Sequence, residues 1–154
     1  MDVTSLTGRS IRSLWVFRLN GVHPAWIDAN TFPIAAGDAV IEFSDGEFIK
    51  ISTCEVDLGP DRYPALGLEA QPCSESDLRI HNSNGQIVEA RKLEESISLM
   101  PFHIARIDAL DPMGEDTTTQ YSLHAADGGL VEIRHMMPPM TLGIRVSPAN
   151  GTPN

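Results

Sequence analysis

The stretch Ser44-Asp45-Gly46-Glu47-Phe48-Ile49-Lys50 decides the fold, because the chain repeats its pattern twice more. The other two copies are residues 83–89 (Ser-Asn-Gly-Gln-Ile-Val-Glu) and residues 126–132 (Ala-Asp-Gly-Gly-Leu-Val-Glu). Asp-Gly or Asn-Gly between alternating apolar runs is the strongest short-range hairpin signal, since glycine tolerates the positive φ that a tight turn requires. The pattern therefore predicts three β-hairpins.

The apolar positions also predict the register of each hairpin. A two-residue loop would place Ile41 opposite Lys50 and bury a charge, so we expect a three-residue loop that ends in glycine. The pairing then joins segments 39–43 with 47–52, 78–82 with 86–90, and 120–125 with 129–134. The apolar pairs expected on one face are Ile41 with Ile49, Ala39 with Ile51, Ile80 with Val88, Leu78 with Ala90, Leu123 with Val131 and Tyr121 with Ile133.

We expect the whole chain to be an all-β protein. The 154 residues suffice for one domain, which we place at 1–147, with a disordered tail at 148–154. The domain should hold about eight to ten antiparallel strands in a sandwich or a partly closed barrel, with at most one short helix near 90–96 and an irregular turn at 22–30. The predicted core comprises Trp15, Phe17, Ile41, Ile49, Ile51, Leu66, Leu68, Ile80, Val88, Ile104, Leu123, Val131, Ile133, Ile144 and Val146.

The two halves of the chain share an order of motifs. An apolar run, a hairpin and a Leu-Gly-aliphatic strand follow one another in each half, and the last of these reads Leu66-Gly67-Leu68 in the first and Leu142-Gly143-Ile144 in the second. This order favours an internal duplication. The alternative is that all-β proteins reuse the same turn chemistry without common origin.

The composition limits the classes of partner. The net charge of −10 disfavours nucleic acids and anionic membranes, because both require clustered Lys and Arg. We find no signal peptide and no apolar stretch of membrane-spanning length, so we expect a cytoplasmic protein, most simply a bacterial one. Cys54 and Cys73 are then expected to be reduced thiols.

The sequence carries no motif for catalysis, for a cofactor or for a metal. It lacks Gly-x-Ser-x-Gly, a glycine-rich phosphate loop, His-x-His and Cys-x-x-Cys. His124 and His135 lie on opposite faces of one predicted hairpin, too far apart to share a metal ion. We therefore assign no catalytic, cofactor-binding or metal-binding residue.

Two segments are candidate partner contacts. The first contains Met136, Met137 and Met140 within a Met-Met-Pro-Pro-Met run, and flexible methionines adapt to irregular surfaces. The second is an acidic segment with Asp108, Asp111, Glu115 and Asp116. The alternative interpretations are methionines that plug one end of the core and a solvated acidic loop.

Three hypotheses of function follow. The first is a non-catalytic interaction module, similar in role to an inhibitor or immunity protein, that binds a basic protein partner. The second is a small-ligand-binding barrel whose cavity is lined by inward residues such as Trp15, Phe17, Ile41, Phe43, Leu123 and Ile133. The third is an enzyme whose site combines distant residues such as His103, His124 and loop carboxylates. The absence of a local motif favours the first.

Overall fold

The computed structural model describes residues 1–19, 32–137 and 139–149. These residues form eleven strands and three short 3₁₀ helices, Val3–Leu6, Glu75–Leu78 and Glu94–Leu99, which confirms the all-β prediction. The strands are β1 (Ser10–Arg18), β2 (Ile34–Phe43), β3 (Phe48–Val56), β4 (Ala65–Cys73), β5 (Arg79–His81), β6 (Ile87–Glu89), β7 (Arg91–Lys92), β8 (Phe102–Leu110), β9 (Gln120–Ala125), β10 (Leu130–Met136) and β11 (Thr141–Ser147).

Six of the strands close into a barrel. Their order around it is β1-β2-β11-β10-β9-β8, and β8 pairs with β1 through Ile11 and Phe102. β2 shares its second edge between two partners, because β11 pairs with Ile34–Ala36 and β3 with Asp38–Glu42. β3 and β4 therefore extend from the barrel as extra strands, and β7 extends from β1.

The three predicted hairpins form in the predicted register. Ile41 pairs with Ile49, Ile80 with Val88 and Leu123 with Val131. The glycine that closes each loop has a positive φ, of 90° at Gly46, 76° at Gly85 and 98° at Gly128. The positive φ is the reason why the Asp-Gly and Asn-Gly turns specify the register so well.

Each half of the chain is a four-stranded antiparallel meander. β1 to β4 pair in succession, and so do β8 to β11. The order of motifs in the sequence is thus repeated in the pairing, although only two strands of the first meander and all four of the second belong to the barrel. This shared meander is consistent with the hypothesis of an internal duplication.

The main core fills the barrel and continues under β3 and β4. The strands β3 and β4 curl over one end of the barrel, where the Tyr121 hydroxyl of β9 donates to the Leu68 carbonyl of β4 at 3.5 Å. The predicted core residues that lie in this main core are Ile41, Ile49, Ile51, Leu68, Ile104, Leu123, Val131, Ile133 and Ile144. Leu66 is only half-buried, and Val146 packs against the core while partly exposed.

Phe17 is buried as predicted and Trp15 is only half-buried, but neither faces the interior of the barrel. Leu14 and Val16 occupy the inner face of β1, while Trp15 and Phe17 join a second cluster around Val40 on the outer face. The run from Leu14 to Phe17 is apolar at every position, so the period-two pattern could not tell the two faces apart.

The middle hairpin is not part of the core, which corrects the prediction for Ile80 and Val88. β5 and β6 form a separate two-stranded sheet, and both residues are exposed although they pair as expected. The hairpin projects as an arm, and Leu78 and Ala90 at its base pack in the second cluster. A hairpin needs a partner layer to bury a face, and the sequence gives no sign that this layer is missing.

The stretch predicted to be helical begins as a strand. Arg91 and Lys92 form β7, and the 3₁₀ helix begins at Glu94. An irregular turn expected at 22–30 lies outside the described residues, as does most of the predicted tail, of which only 148 and 149 are described and belong to no strand or helix. Across the described ranges, no helix has the length and apolar character needed to cross a membrane.

Candidate functional site

The two candidate contact segments converge on the first residues of β4. The Glu115 side chain accepts the Leu66 N–H at 2.9 Å, and the Thr118 carbonyl accepts the Leu68 N–H at 2.9 Å. From the other segment, the His135 Nδ1 donates to the Gly67 carbonyl at 2.8 Å. We call this region, formed by residues 57–68, 111–119, 135–137 and 139–140, the acidic end of the barrel.

Asp111 organises the acidic loop from within. Its carboxylate accepts the N–H groups of Glu115 and Asp116, each at 2.9 Å, and the Thr119 hydroxyl at 3.3 Å. The hydrogen bond from the Glu115 backbone is the largest of the effects that lower the pKa of Asp111. Asp116 has a positive φ of 60° and forms an ion pair with Arg62 at 2.9 Å. The loop is therefore built by its own carboxylates.

His135 fixes the turn that carries the methionines. The side chain is fully buried, and its Nε2 accepts the Met140 N–H at 3.0 Å while Nδ1 donates to Gly67. This pair of bonds requires the neutral imidazole with the proton on Nδ1. Sequence reasoning considered His135 only as a metal ligand, although its position two residues after Ile133 placed it on the inner face.

Three large apolar side chains remain exposed at this end. Tyr63 is 95% exposed, Met140 47% and Met137 38%. Met136, in contrast, is half-buried and lies against Gly143, so it supports the turn. The methionine segment thus contributes Met137 and Met140 to the surface, and Tyr63 is an additional apolar group that the sequence analysis did not single out.

Asp108 is not part of the acidic end. It lies on the outer face of β8, where it forms an ion pair with Arg106 at 3.3 Å and a hydrogen bond with the His124 Nε2 at 3.1 Å. Both partners are on the barrel wall, because Arg106 pairs with His124 in the β8–β9 ladder. The other three acidic candidates, at positions 111, 115 and 116, do come together.

One described hydroxyl lies beside a histidine, because Ser10 Oγ and His103 Nδ1 share a hydrogen bond, but no described carboxylate extends this pair. Ser122 lies next to His124 on the outer face of β9, but its Oγ accepts the Gln120 Nε2–H at 2.9 Å. The His124 Nε2 contacts Asp108 and Arg106, and the His103 Nδ1 shares a hydrogen bond with the Ser10 hydroxyl instead. His124 thus contacts one carboxylate, Asp108, and His103 contacts a hydroxyl, while no described hydrogen bond joins the two histidines.

The surroundings of the two thiols disfavour their thiolate forms. Burial raises the pKa of Cys73 to about 11, assisted by Asp77 and opposed by Lys50. Burial also raises the pKa of Cys54, with a contribution from Glu69. In the part of the chain that the structure describes, no three His, Cys, Asp or Glu side chains are grouped so that they could hold a metal ion.

The largest cavity described lies outside the barrel. It is an open cleft of about 830 Å³ between the arm and the strands β1 and β2, lined by Phe17, Leu19, Ile80, Ile87 and charged neighbours. Inside the barrel, the inward residues Ile41, Leu123 and Ile133 are almost completely buried in contact with the core. Of the residues predicted to line a cavity, Trp15 and Phe17 lie on the outer face of the barrel. The other four are packed in the main core.

Comparison of the chain with protein-family models, with curated proteins and with solved structures returns no match. The geometry of the acidic end and the charges around it are therefore the features that bear on function.

Proposed function

We propose that the protein is a non-catalytic interaction module that binds a basic protein partner through the acidic end of the barrel. The observation that carries the proposal is that Tyr63, Met137 and Met140 are all exposed and lie on segments that hydrogen bonds connect at the start of β4, where the acidic loop is also bonded. Two segments far apart in sequence supply these groups, and hydrogen bonds to β4 hold both in place.

The chemistry of these groups suits a protein interface. Tyrosine and methionine are enriched at protein interfaces, and both offer a large apolar contact area. The tyrosine ring loses little conformational entropy on binding, and the flexible methionine side chain adapts to the shape of the partner. A polar rim around such a centre excludes water and selects the partner by charge. Asp61 and Asp116 are exposed carboxylates of this rim, and the net charge of −10 would attract a basic partner over a distance.

The acidic residues have different roles in this proposal. Asp111 and Glu115 accept hydrogen bonds from the chain itself, so they shape the loop and contribute to its negative field. Asp116 shares its carboxylate with the exposed Arg62, and this ion pair can open at little cost when a partner cation approaches. Asp108 lies on the barrel wall and is left out of the interface.

The proposal includes a cytoplasmic location and a role like that of an inhibitor or immunity protein, which masks a basic site on its partner. A reducing compartment agrees with two free thiols whose pKa values are raised.

The experiment is a quantitative affinity capture from lysate of the source cells with three baits. The baits are the wild type, the double variant Tyr63→Ala/Met140→Ala, and the control Ile87→Ala, which truncates an apolar side chain of the arm that is 62% exposed. We expect a protein with a basic isoelectric point to be enriched by the wild type and the control, and to be lost with the double variant. Equal enrichment by all three baits would contradict the proposal.

A further inference from the structure

The outer face of the barrel carries a buried polar cluster that the proposed interface does not use. Cross-strand pairing brings Glu132 next to Ser122 of β9 and to Arg145 of β11, and Arg134 next to Gln120. Gln120, Ser122 and Glu132 are buried although they point away from the core of the barrel. Each polar group of a buried cluster needs a hydrogen-bond or charge partner, which the protein, water or a ligand can supply.

Glu132 forms an ion pair with Arg145. The carboxylate is only 8% exposed and accepts from the Arg145 Nε at 2.8 Å and from its NH2 at 2.9 Å, a bidentate pair. It also accepts from the Gln120 Nε2 at 3.2 Å. These bonds compensate the charge of Glu132 and of Arg145, but not that of a second arginine.

Arg134 is the second arginine. Its Nε donates to the Gln120 Oε1 at 2.7 Å, and its guanidinium lies over the Phe32 ring, 4.4 Å from the centroid. Among the described residues, no atom accepts a hydrogen bond from its NH1 or NH2, and no carboxylate forms an ion pair with it. Burial lowers the pKa of Arg134, Glu132 raises it, and the positive charge of Arg145 lowers it further.

Arg9 shows what is missing at Arg134. Its guanidinium also lies over a phenylalanine ring, 3.9 Å from the centroid of Phe43, but Asp45 and Glu47 approach it to 2.9 Å and 3.4 Å. Of the nine arginines, seven pair with a described carboxylate in this way, and the exposed Arg91 can be neutralised by solvent. Arg134 is half-buried, is held by Gln120 and Phe32, and has no carboxylate partner among the residues that the structure describes.

We propose that Arg134 binds a carboxylate or phosphate group of a small ligand through its NH1 and NH2 groups, against the face of Phe32. The guanidinium is preorganised, because Gln120 fixes its plane and Gln120 is itself held by Ser122 and Glu132. A fixed planar fork binds an oxyanion at two points with little loss of entropy. The inference does not rest on the proposed interface, which lies at the acidic end.

The test is a titration of the ¹⁵N-labelled protein with inorganic phosphate and, separately, with succinate, at constant ionic strength. The two probes distinguish a phosphate from a carboxylate as the preferred group. We expect saturable shifts of the Arg134 Nε–Hε signal with at least one probe in the wild type. The matched control Arg9→Gln removes a stacked arginine that already has its carboxylates, and we expect it to bind like the wild type.

Two variants of Arg134 complete the experiment, with the backbone amides of residues 132 and 145 as the reporters. Arg134→Gln should weaken binding at least tenfold, and Arg134→Lys should bind severalfold more weakly than the wild type, because it keeps the charge and loses the fork. Amide spectra of the free variants that match the wild type outside this face establish that they fold. Binding that is unchanged in Arg134→Gln, or shifts that never saturate with either probe, would overturn the inference.

Discussion

His135 on β10 donates its Nδ1 proton to the carbonyl oxygen of Gly67 on β4 at 2.8 Å, across 68 positions of sequence. The bond joins a barrel strand to β4, one of the extra strands that extend from the barrel. Because the Nε2 of the same ring accepts the Met140 N–H, one side chain holds both β4 and the methionine turn in place. This single buried ring therefore fixes two parts of the acidic end.

Replacement of His135 by leucine should therefore destabilise the protein. The variant leaves the Met140 N–H without its acceptor and removes a buried donor from the Gly67 carbonyl, at a cost of about 2 kcal/mol or more. Chemical denaturation in urea measures the loss. His81→Leu, on the exposed strand β5, is the matched control and should change the free energy of unfolding by less than about 0.5 kcal/mol. Equal losses in the two variants would contradict the assigned role.

Gly67 is a second site where the packing of β4 can be tested. A Cβ there would lie 3.1 Å from methyl carbons of Val56 and Thr117, so Gly67→Ala should cost about 1–3 kcal/mol. Gly37 on β2 is the control, because a Cβ there meets only the Phe17 carbonyl oxygen at 3.9 Å. Gly37→Ala should be neutral or slightly stabilising, since alanine restricts the unfolded chain. A neutral Gly67→Ala would show that the acidic loop does not pack on β4 as described.

Asp111 should contribute to the acid sensitivity of the fold. Its pKa is lowered in the folded protein, so its stabilising effect is present above the ordinary value of 3.8 and is lost as the pH falls through the lower folded value. The free energy of unfolding of the wild type should therefore decrease more steeply below about pH 4 than that of Asp111→Asn. Urea denaturation across this range measures the slopes, and parallel pH profiles would rule out a depressed pKa at this position.

The two thiols should react slowly and should not pair. A pKa of about 11 at Cys73 leaves about a hundredfold less thiolate than a thiol at 9.0, so alkylation by iodoacetamide at pH 8 should be slower by a similar factor than that of an unperturbed cysteine in a peptide. Cys54 pairs with Gly67 and Cys73 with Phe48, six ladder positions away or about 20 Å at strand rise, too far for a disulfide. Rapid modification or an intramolecular disulfide would contradict the ladder of β3 and β4.

The hairpins were predictable because their information is local. The loop ending at Gly46 needs a positive φ, and the alternation of Ile41 and Ile49 selects one register, so a few adjacent residues decide the pairing. The same reasoning predicted the pairing of Ile80 with Val88 correctly but not their exposure. Burial depends on which layer covers a face, and that layer comes from elsewhere in the chain.

The candidate site shows the same limit. The sequence identifies Met140 and Asp116 as unusual, but it cannot show that β4 brings their segments together, because the bonds at Leu66 and Gly67 join positions 49 and 68 residues apart. Arg134 was not recognised at all. Both Arg134 and Arg145 lie near Glu132, but Glu132 forms its ion pair with Arg145, and Arg134 bonds to Gln120 instead. Only the packed side chains show which of the two arginines is paired.

The most direct test of the proposed interface is the association rate with the partner obtained by affinity capture, measured against salt concentration. The wild type is compared with the variant Asp61→Asn/Asp116→Asn, which removes two exposed charges from the rim. We expect the wild-type rate to fall steeply between about 20 and 500 mM NaCl, because salt screens the attraction of opposite charges, and the variant to show a slower rate and a shallower slope. A rate that does not depend on salt, or the same slope in both proteins, would contradict binding at the acidic end.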